Sequence, residues 1–290
     1  SNRWMLMLTA YFDEAGHPDD PALKYIALAG FVAPVGEWEV FEHHWTATLR
    51  NTRLSEPFHM KEFAHSTGQF TTWKGKEEKR RLLFGRLVEV IRNTRAMPIG
   101  AAVSLLDFRS LTPTQQSSFL DPYYVCFQTC VQGAGIEAIF ERPEEKVAMV
   151  FSHHPEFSGR AAELWNAIKD SYEHGNRMDS YAVSAPEEVV QLQAADLFAY
   201  ELLHEFDNRI LEPNCPMRWG MREILRMSRI DLPRIRLFDR KELFRTIREN
   251  SFPDQTSVEE IESTQMISAM ESMLKWVRER ANISDADLVI

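Results

Sequence analysis

The stretch Leu6–Gly16, LMLTAYFDEAG, begins the fold and contains two adjacent acids near its end. The residues before Asp13 are apolar except for one threonine, which predicts a buried strand, and Gly16 favours a turn directly after it. A carboxylate that follows a buried strand lies at the edge where open α/β sheets collect ligand groups. An acid that caps a turn gives the same pattern and is more common. Asp13 and Glu14 are therefore candidate site residues only if other parts of the chain support them.

Further apolar runs alternate with helical patterns along the chain. The run Tyr25–Val35 is expected to pair with the first strand, and the wholly apolar Val147–Phe151 is typical of a central parallel strand. Helical spacing predicts long helices over Lys76–Asn93, Pro122–Glu141 and Val189–Leu211. Strands that alternate with helices predict an α/β sheet covered by helices on both faces.

Two prolines and a cysteine interrupt the pattern near residues 211–216. We therefore expect one α/β domain over residues 3–211 and a mainly helical C-terminal extension, 212–290, packed on it. A helix near Ser257–Arg280 is expected either to pack back on the domain or to join two copies of the chain into a homodimer.

The composition is that of a folded globular protein, with 44% hydrophobic and 26% charged residues among 290. The three cysteines are an odd number without a CxxC pair, which suits a reducing compartment. The first eleven residues lack the pattern of a secretory signal, and no apolar run reaches the roughly 18 residues of a membrane span. These features predict a cytoplasmic protein without a membrane partner.

Charge is unevenly spread along the chain. The net charge of −10 argues against a protein that coats nucleic acid, yet the segment Arg218–Arg248 carries a net charge of +6. Arg218, Arg222 and Arg226 recur every four residues, which places them on one side of a predicted helix. Contacts to substrate phosphates and an ordinary solvated arginine face explain this pattern equally well.

Asp196 lies in the nearly all-apolar helical segment Leu192–Tyr200. Together with Gln193 and Tyr200, three and four residues away, it forms one narrow polar stripe. An ionised acid among alanines and leucines is costly unless it is paired, hydrogen-bonded or bound to a metal ion. The pattern therefore indicates either a functional acid or a structural hydrogen-bond network, and buried acids of this kind often mark sites.

Other polar pairs are less specific. His59 and Glu62 are one helical turn apart. They would either contact the same ligand or cap a solvated helix start, and the spacing fits both interpretations equally well. His153 and His154 follow an apolar strand but lack a third ligand at zinc spacing, so we expect no zinc site there. The sequence contains no P-loop, GxSxG, HExxH or GxGxxG motif, which argues against the common nucleotide-binding, esterase and zinc-protease classes.

Three of these segments occur in an order known from one family. They are Tyr11–Gly16 (YFDEAG), Phe58–Phe63 (FHMKEF) and Leu192–Glu201 (LQAADLFAYE), and Val150–Phe157 (VFSHHPEF) is similar to that family's fourth-strand segment. The combination resembles the domain of unknown function 3800 family and covers roughly the first 210 residues. The ordered set is far more specific than any one piece.

The resemblance implies a ribonuclease H-like mixed sheet and a suspected nuclease activity that depends on Mg²⁺ or Mn²⁺. Asp13 would be the first-strand metal ligand and Asp196 the last-helix ligand. The resemblance further implies that Glu14, His59, Glu62 and Gln193 line the same cleft. The chain departs from the family at Ser152, where the fourth strand usually offers an acid, and Glu156 is the nearest replacement.

Three functions follow from these expectations. The first is a metal-dependent phosphodiesterase acting on nucleic acid, with Asp13 and Asp196 as metal ligands, Glu14 or Glu62 as supplementary acids, and Tyr200, Arg218 and Arg222 as further substrate contacts. The second is a catalytically impaired module that binds nucleic acid or protein, which Ser152 favours. The third is a metal-dependent hydrolase of small phosphorylated molecules, which is consistent with the acidic overall charge.

Overall fold

A computed structural model describes residues 7–54, 57–141, 145–211, 215–226 and 234–251. Within these ranges one mixed sheet has six strands. The strands are β1 (Leu8–Ala15), β2 (Tyr25–Pro34), β3 (Met97–Ser104), β4 (Val147–Ser152), β5 (Met178–Ser184) and β6 (Arg234–Phe238).

Ten α-helices connect or follow these strands within the described ranges. They are α1 (Val35–Asn51), α2 (Met60–His65), α3 (Glu77–Asn93), α4 (Leu105–Arg109), α5 (Pro113–Ser117), α6 (Pro122–Glu141), α7 (Ser158–Ser171), α8 (Gln191–Leu211), α9 (Trp219–Leu225) and α10 (Arg240–Ser251). None of these helices has the length and apolarity needed to cross a membrane.

The strand order is β5-β4-β1-β2-β3-β6. β1 pairs antiparallel with β2 and β2 antiparallel with β3, whereas β4 lies parallel to both β1 and β5. The predicted pairing of the first two apolar runs and the central parallel position of Val147–Phe151 are thus confirmed. The architecture is an α/β fold with a mixed sheet, consistent with a ribonuclease H-like fold.

Each face of the sheet has its own hydrophobic core. Alternate residues of β2 point to opposite faces, so Ala27, Ala29 and Phe31 join one core while Ile26 and Leu28 join the other. Helices α1, α3, α8 and α9 cover the first face, and α6 and α7 cover the second. Helices on both faces, as the alternating pattern predicted, are therefore present.

Two features differ from the sequence-based expectations. β1 does not end at Asp13 but continues to Ala15, because Asp13, Glu14 and Ala15 remain paired with β2; Gly16, with φ of 90°, then ends the strand. The segment after residue 211 contributes β6, which pairs parallel with β3 and so extends the sheet. The helix expected near Ser257–Arg280, with the dimer contact assigned to it, lies outside the described residues.

Candidate active site

Asp13 and Glu14 lie at the end of β1 where the parallel strand β4 also ends. Asp13 is 7% exposed and its Oδ1 accepts a hydrogen bond of 2.8 Å from the backbone N–H of Glu14. The alternation of the strand directs these two side chains to opposite faces, with Asp13 on the side of α8. Asp13 and Glu14 are the third-last and second-last residues of β1, so both side chains remain near the carboxyl end of this strand.

Asp196 comes to this edge from α8, which packs across β1 and β2. Its side chain is 17% exposed, and Oδ2 accepts a hydrogen bond of 2.7 Å from the backbone N–H of Met60 at the start of α2. His59 Nδ1 lies 4.0 Å from the same oxygen. The structure therefore joins the β1, α2 and α8 segments of the sequence at one place.

The pKa values of all three carboxylates lie above the ordinary range. Burial is the largest cause for each, and it raises the pKa of Glu14 to about 7, that of Asp196 to about 6 and that of Asp13 well above its usual value. The charges of Glu14 and Asp196 add to the effect on Asp13, and the charge of Asp196 adds to that on Glu14. A fold that needed these acids only as structural anchors would normally surround them with donors, so this arrangement is typical of a functional site.

The donor set fits a hard divalent cation. All three groups are carboxylates, and Glu14 Oε2 is buried without a hydrogen-bond partner among the described residues. Among the described residues, no three His, Cys, Asp or Glu side chains are grouped so that together they could hold a metal ion. Mg²⁺ does not require such a cage, because it commonly keeps several waters and binds one or two carboxylates together with substrate phosphates.

Ser152 occupies the end of β4 beside this cluster. It is 8% exposed, and its hydroxyl donates a hydrogen bond to the Asp13 carboxylate. This hydrogen bond lowers the pKa of Asp13 and so acts against the effect of burial. Ser152 thus supplies a neutral donor at the position where the family resemblance implies an acid at the end of the fourth strand.

Glu156 reaches the cluster only through a histidine. His17 Nε2 lies 3.0 Å from Glu156 Oε2, and the charge of His17 lowers the pKa of Glu14. The backbone N–H of Asp19 donates to His17 Nδ1 at 3.2 Å, which favours a proton on Nε2 and donation from it to Glu156. His17 also lies near His154, with 5.7 Å between ring centroids.

Glu62 packs against a nearby glycine. Its side-chain oxygens lie against Gly68, at the position that a Cβ on that residue would occupy. His59, by contrast, is at the site, where its Nε2 also approaches Glu187 Oε1 at 3.6 Å. The supplementary role of Glu62 stays a prediction, whereas Glu14 lies close enough to Asp13 and Asp196 for their charges to interact.

Gln193 is a structural residue instead of the expected substrate contact. It is 3% exposed, and its Oε1 accepts hydrogen bonds from Trp45 Nε1 at 2.9 Å and from the backbone N–H of Phe58 at 3.0 Å. Its Nε2 donates to the Pro186 carbonyl at 3.0 Å. Since these bonds tie α1 and the segment before α2 to α8, Gln193 positions the backbone that reaches Asp196.

Buried acids pair with the three arginines of the basic segment that recur every four residues. Arg218 contacts both side-chain oxygens of Glu201, which is 1% exposed, and Arg222 and Arg226 lie near Glu223. Arg218 and Arg226 are the caps at the two ends of α9, so Arg222 is the only one of the three expected arginines that lies within the helix. These ion pairs stabilise the packing of α9. Only the solvent-exposed parts of the guanidinium groups remain available to contact a phosphate.

Tyr200 lies one turn beyond Asp196 on α8 and is partly buried. Burial is the largest cause of its raised pKa, and the charges of Arg218, Arg80 and Asp196 all act on its hydroxyl. Tyr200 therefore lies between the carboxylate cluster and the arginines. The sequence pointed to Tyr200, but it gave no comparable signal for Arg80 or for His17.

The pH dependence of stability tests whether the cluster is functional or structural. The folded protein without a divalent cation binds more protons than the unfolded chain between about pH 4 and 7, since the folded pKa values are raised. The contribution of these carboxylates to the free energy of unfolding should therefore be largest at low pH and should be lost as the pH rises through this window. Replacing Glu14 by Gln should flatten the curve and stabilise the protein by about 1–3 kcal/mol at pH 8.

Urea unfolding in EDTA over a series of pH values measures this effect. The exposed substitution Glu39→Gln on α1 is the matched control and should leave the slope unchanged. A Glu14→Gln protein less stable than the parent at pH 8 would mean that the carboxylate anchors the fold.

Comparisons with known proteins add no assignment to this geometry. No protein-family model matches the chain, and no curated protein matches it.

Proposed function

We propose that this protein is a divalent-metal-dependent nuclease that hydrolyses phosphodiester bonds of nucleic acid. The observation that carries the proposal is the meeting of Asp13, Glu14 and Asp196 at one sheet edge with raised pKa values. We further propose that the chain is a distant member of the domain of unknown function 3800 family, because the segments that suggested it converge at this place.

Asp13 and Asp196 would hold Mg²⁺ or Mn²⁺. Such a cation, when bound, polarises the phosphoryl oxygen and lowers the pKa of a coordinated water. The hydrogen bonds from Met60 and from Ser152 keep the two carboxylates oriented towards the cleft. Orientation of this kind reduces the cost of assembling the reacting groups.

Glu14 is the group that receives a proton in the proposed reaction. Its pKa of about 7 makes the carboxylate partly protonated at neutral pH, which is the range in which a general base is effective. Oε2 is buried and has no hydrogen-bond partner among the described residues, so it would accept the proton of a water that enters the site with the substrate. His17 and the more exposed Glu156 connect this position to solvent.

A cleavage assay tests the proposal. Purified protein with Mg²⁺ or Mn²⁺ should cut DNA or RNA well above the level of an Asp13→Asn, Asp196→Asn double variant. Absence of such a difference refutes the nuclease proposal, and faster cleavage of a small phosphodiester than of either polymer would favour a small-molecule hydrolase.

The second candidate is a non-catalytic member that binds nucleic acid or protein. Ser152 favours it, because this residue supplies a neutral hydroxyl where a fourth carboxylate would help to hold a cation. Calorimetric titration with Mn²⁺ distinguishes the two candidates. A folded protein that binds no Mn²⁺ supports the second one.

The substitution Ser152→Asp should strengthen cation binding. An additional carboxylate beside Asp13 increases the negative charge available to a cation, so we expect the Mn²⁺ dissociation constant to fall by about tenfold. Ser152→Ala is the control, since it removes the hydrogen bond to Asp13 without adding charge. Equal Mn²⁺ affinities for the two variants would show that position 152 does not face the cation.

A further inference from the structure

A groove opens beside the carboxylate cluster on the α8 side of the sheet. It has a volume of about 370 Å³ and lies among α2, α3, α8 and the start of α9. The residues that matter for its chemistry are Met60, Arg80, Arg81, Phe84, Tyr200 and Arg218. A groove of this size is in the range that accommodates a nucleotide-sized ligand.

The groove continues from the proposed reaction centre. Met60 lines it with its side chain while its backbone N–H bonds Asp196, and Tyr200 lines it one helical turn further along α8. A chain that occupied the groove would therefore pass the carboxylates at one end. This continuity distinguishes the groove from two other depressions of the described residues, which are lined mainly by α1 and α3 and by none of the three carboxylates.

Three arginines and two glutamates, Glu77 and Glu201, line the groove, so its lining carries a small net positive charge. Arg218 is held in place by Glu201, and Arg80 is held by Glu77 and by the carbonyls of Phe63 and Ala64, so both guanidinium groups are preoriented. Arg81 is exposed and has no ion pair or hydrogen bond within the described ranges. The whole segment 60–93, which supplies α2 and α3, carries eight Lys and Arg against four Asp and Glu in a protein of net charge −10.

An exposed aromatic side chain stands next to these arginines. Trp219 is 44% exposed at the start of α9, and its ring lies 5.7 Å from that of Phe84, which lines the groove. An exposed tryptophan beside arginines is a platform on which an unpaired base stacks while the arginines contact phosphates. A base within a duplex cannot use such a platform unless it is first unpaired.

We propose that the groove is a binding site for single-stranded nucleic acid, with a base on Trp219 and the phosphodiester backbone along Arg81, Arg80 and Arg218. The inference rests on the proposed nuclease function and names its substrate class. Tyr200 contacts the strand between the arginines and the carboxylates. The bound nucleic-acid strand would thereby extend from Trp219 to the carboxylates, where its phosphodiester bond is cleaved.

Binding of a short fluorescein-labelled oligothymidylate, followed by anisotropy in EDTA, tests the site without cleavage. Trp219→Ala should weaken binding about tenfold, because stacking contributes of the order of 1–3 kcal/mol per base. Arg81→Ala should weaken binding severalfold and flatten the dependence of log K on log salt by about 0.7, the value for one contact to a single strand. Trp219→Phe and Arg81→Lys should retain most of the affinity.

The control is Arg160→Ala, because Arg160 is an exposed arginine on α7 at the opposite face of the sheet and should bind normally when replaced. Wild-type affinity in both Trp219→Ala and Arg81→Ala would overturn the proposal. Equally tight, equally sensitive binding of a duplex, or full displacement by polyglutamate, would overturn the single-strand assignment.

The same assay distinguishes failure of the groove from failure of the nuclease proposal. The Asp13→Asn, Asp196→Asn variant should retain oligothymidylate binding in EDTA, because the proposed contacts lie along the groove. If the protein binds oligothymidylate through the groove but cleaves no nucleic acid, the binding-site proposal is supported and the nuclease proposal is refuted. If metal-dependent cleavage occurs and is unaffected by the Trp219 and Arg81 substitutions, the nuclease proposal is supported and the binding-site proposal is refuted.

Discussion

The Asp13→Asn, Asp196→Asn double variant should lose metal-dependent cleavage by a factor of about 10³ or more. A cation that stabilises the charge of a phosphoryl transition state contributes several kcal/mol, and each 1.36 kcal/mol corresponds to tenfold in rate. Asparagine keeps the size of each side chain and one acceptor oxygen, so the Met60 N–H retains a partner. The loss should therefore be one of charge and not of fold.

Cleavage of labelled DNA and RNA with Mg²⁺ or Mn²⁺, together with Mn²⁺ calorimetry, measures this loss. Asp207→Asn is the matched control, because Asp207 also lies on α8 and its side chain is 19% exposed, close to the 17% of Asp196. The double variant should no longer be stabilised against heat by Mn²⁺, whereas the control should be. If both variants cleave as the parent does, these carboxylates are not the reaction centre.

Local sequence patterns predicted the elements that carry this site. Apolar runs indicated β1, β2 and β4, because strands at the centre of a sheet are buried on both faces. The end of β1 was placed too early, since an acid ordinarily interrupts a buried strand, while here Asp13 and Glu14 remain paired with β2. β6 was missed because its sequence, RIRLF, lies in a segment rich in arginine that also fits a helix.

The composition of the site was less predictable than its location. Asp196 and the two acids of β1 could be proposed because each is unusual in its own segment. His17 could not, since its effect on Glu14 and its bond to Glu156 join residues 139 positions apart. Arg218 resembles a free charge in the sequence because Glu201, the buried acid that pairs with it, lies 17 residues earlier in the chain.

Gln193 illustrates this limit and leads to the second large effect. A polar stripe on α8 identified it as a candidate contact, but its partners Trp45 and Phe58 are 148 and 135 residues away. Gln193→Leu should destabilise the fold by about 3 kcal/mol, because two buried N–H donors then lose their acceptor at about 1–3 kcal/mol each. The Pro186 carbonyl would lose its donor as well.

Urea unfolding of Gln193→Leu beside Gln191→Leu measures this cost. Gln191 lies two residues earlier on the same helix and makes one longer hydrogen bond, 3.4 Å to Glu42, so its replacement should cost less than about 1 kcal/mol. Mn²⁺ affinity should also fall in Gln193→Leu, because the backbone of Phe58 is held two residues before the Met60 N–H that orients Asp196. A variant that is fully stable yet binds oligothymidylate weakly would instead restore Gln193 as a substrate contact. The two readouts thus separate a residue that positions the site from one that contacts its ligand.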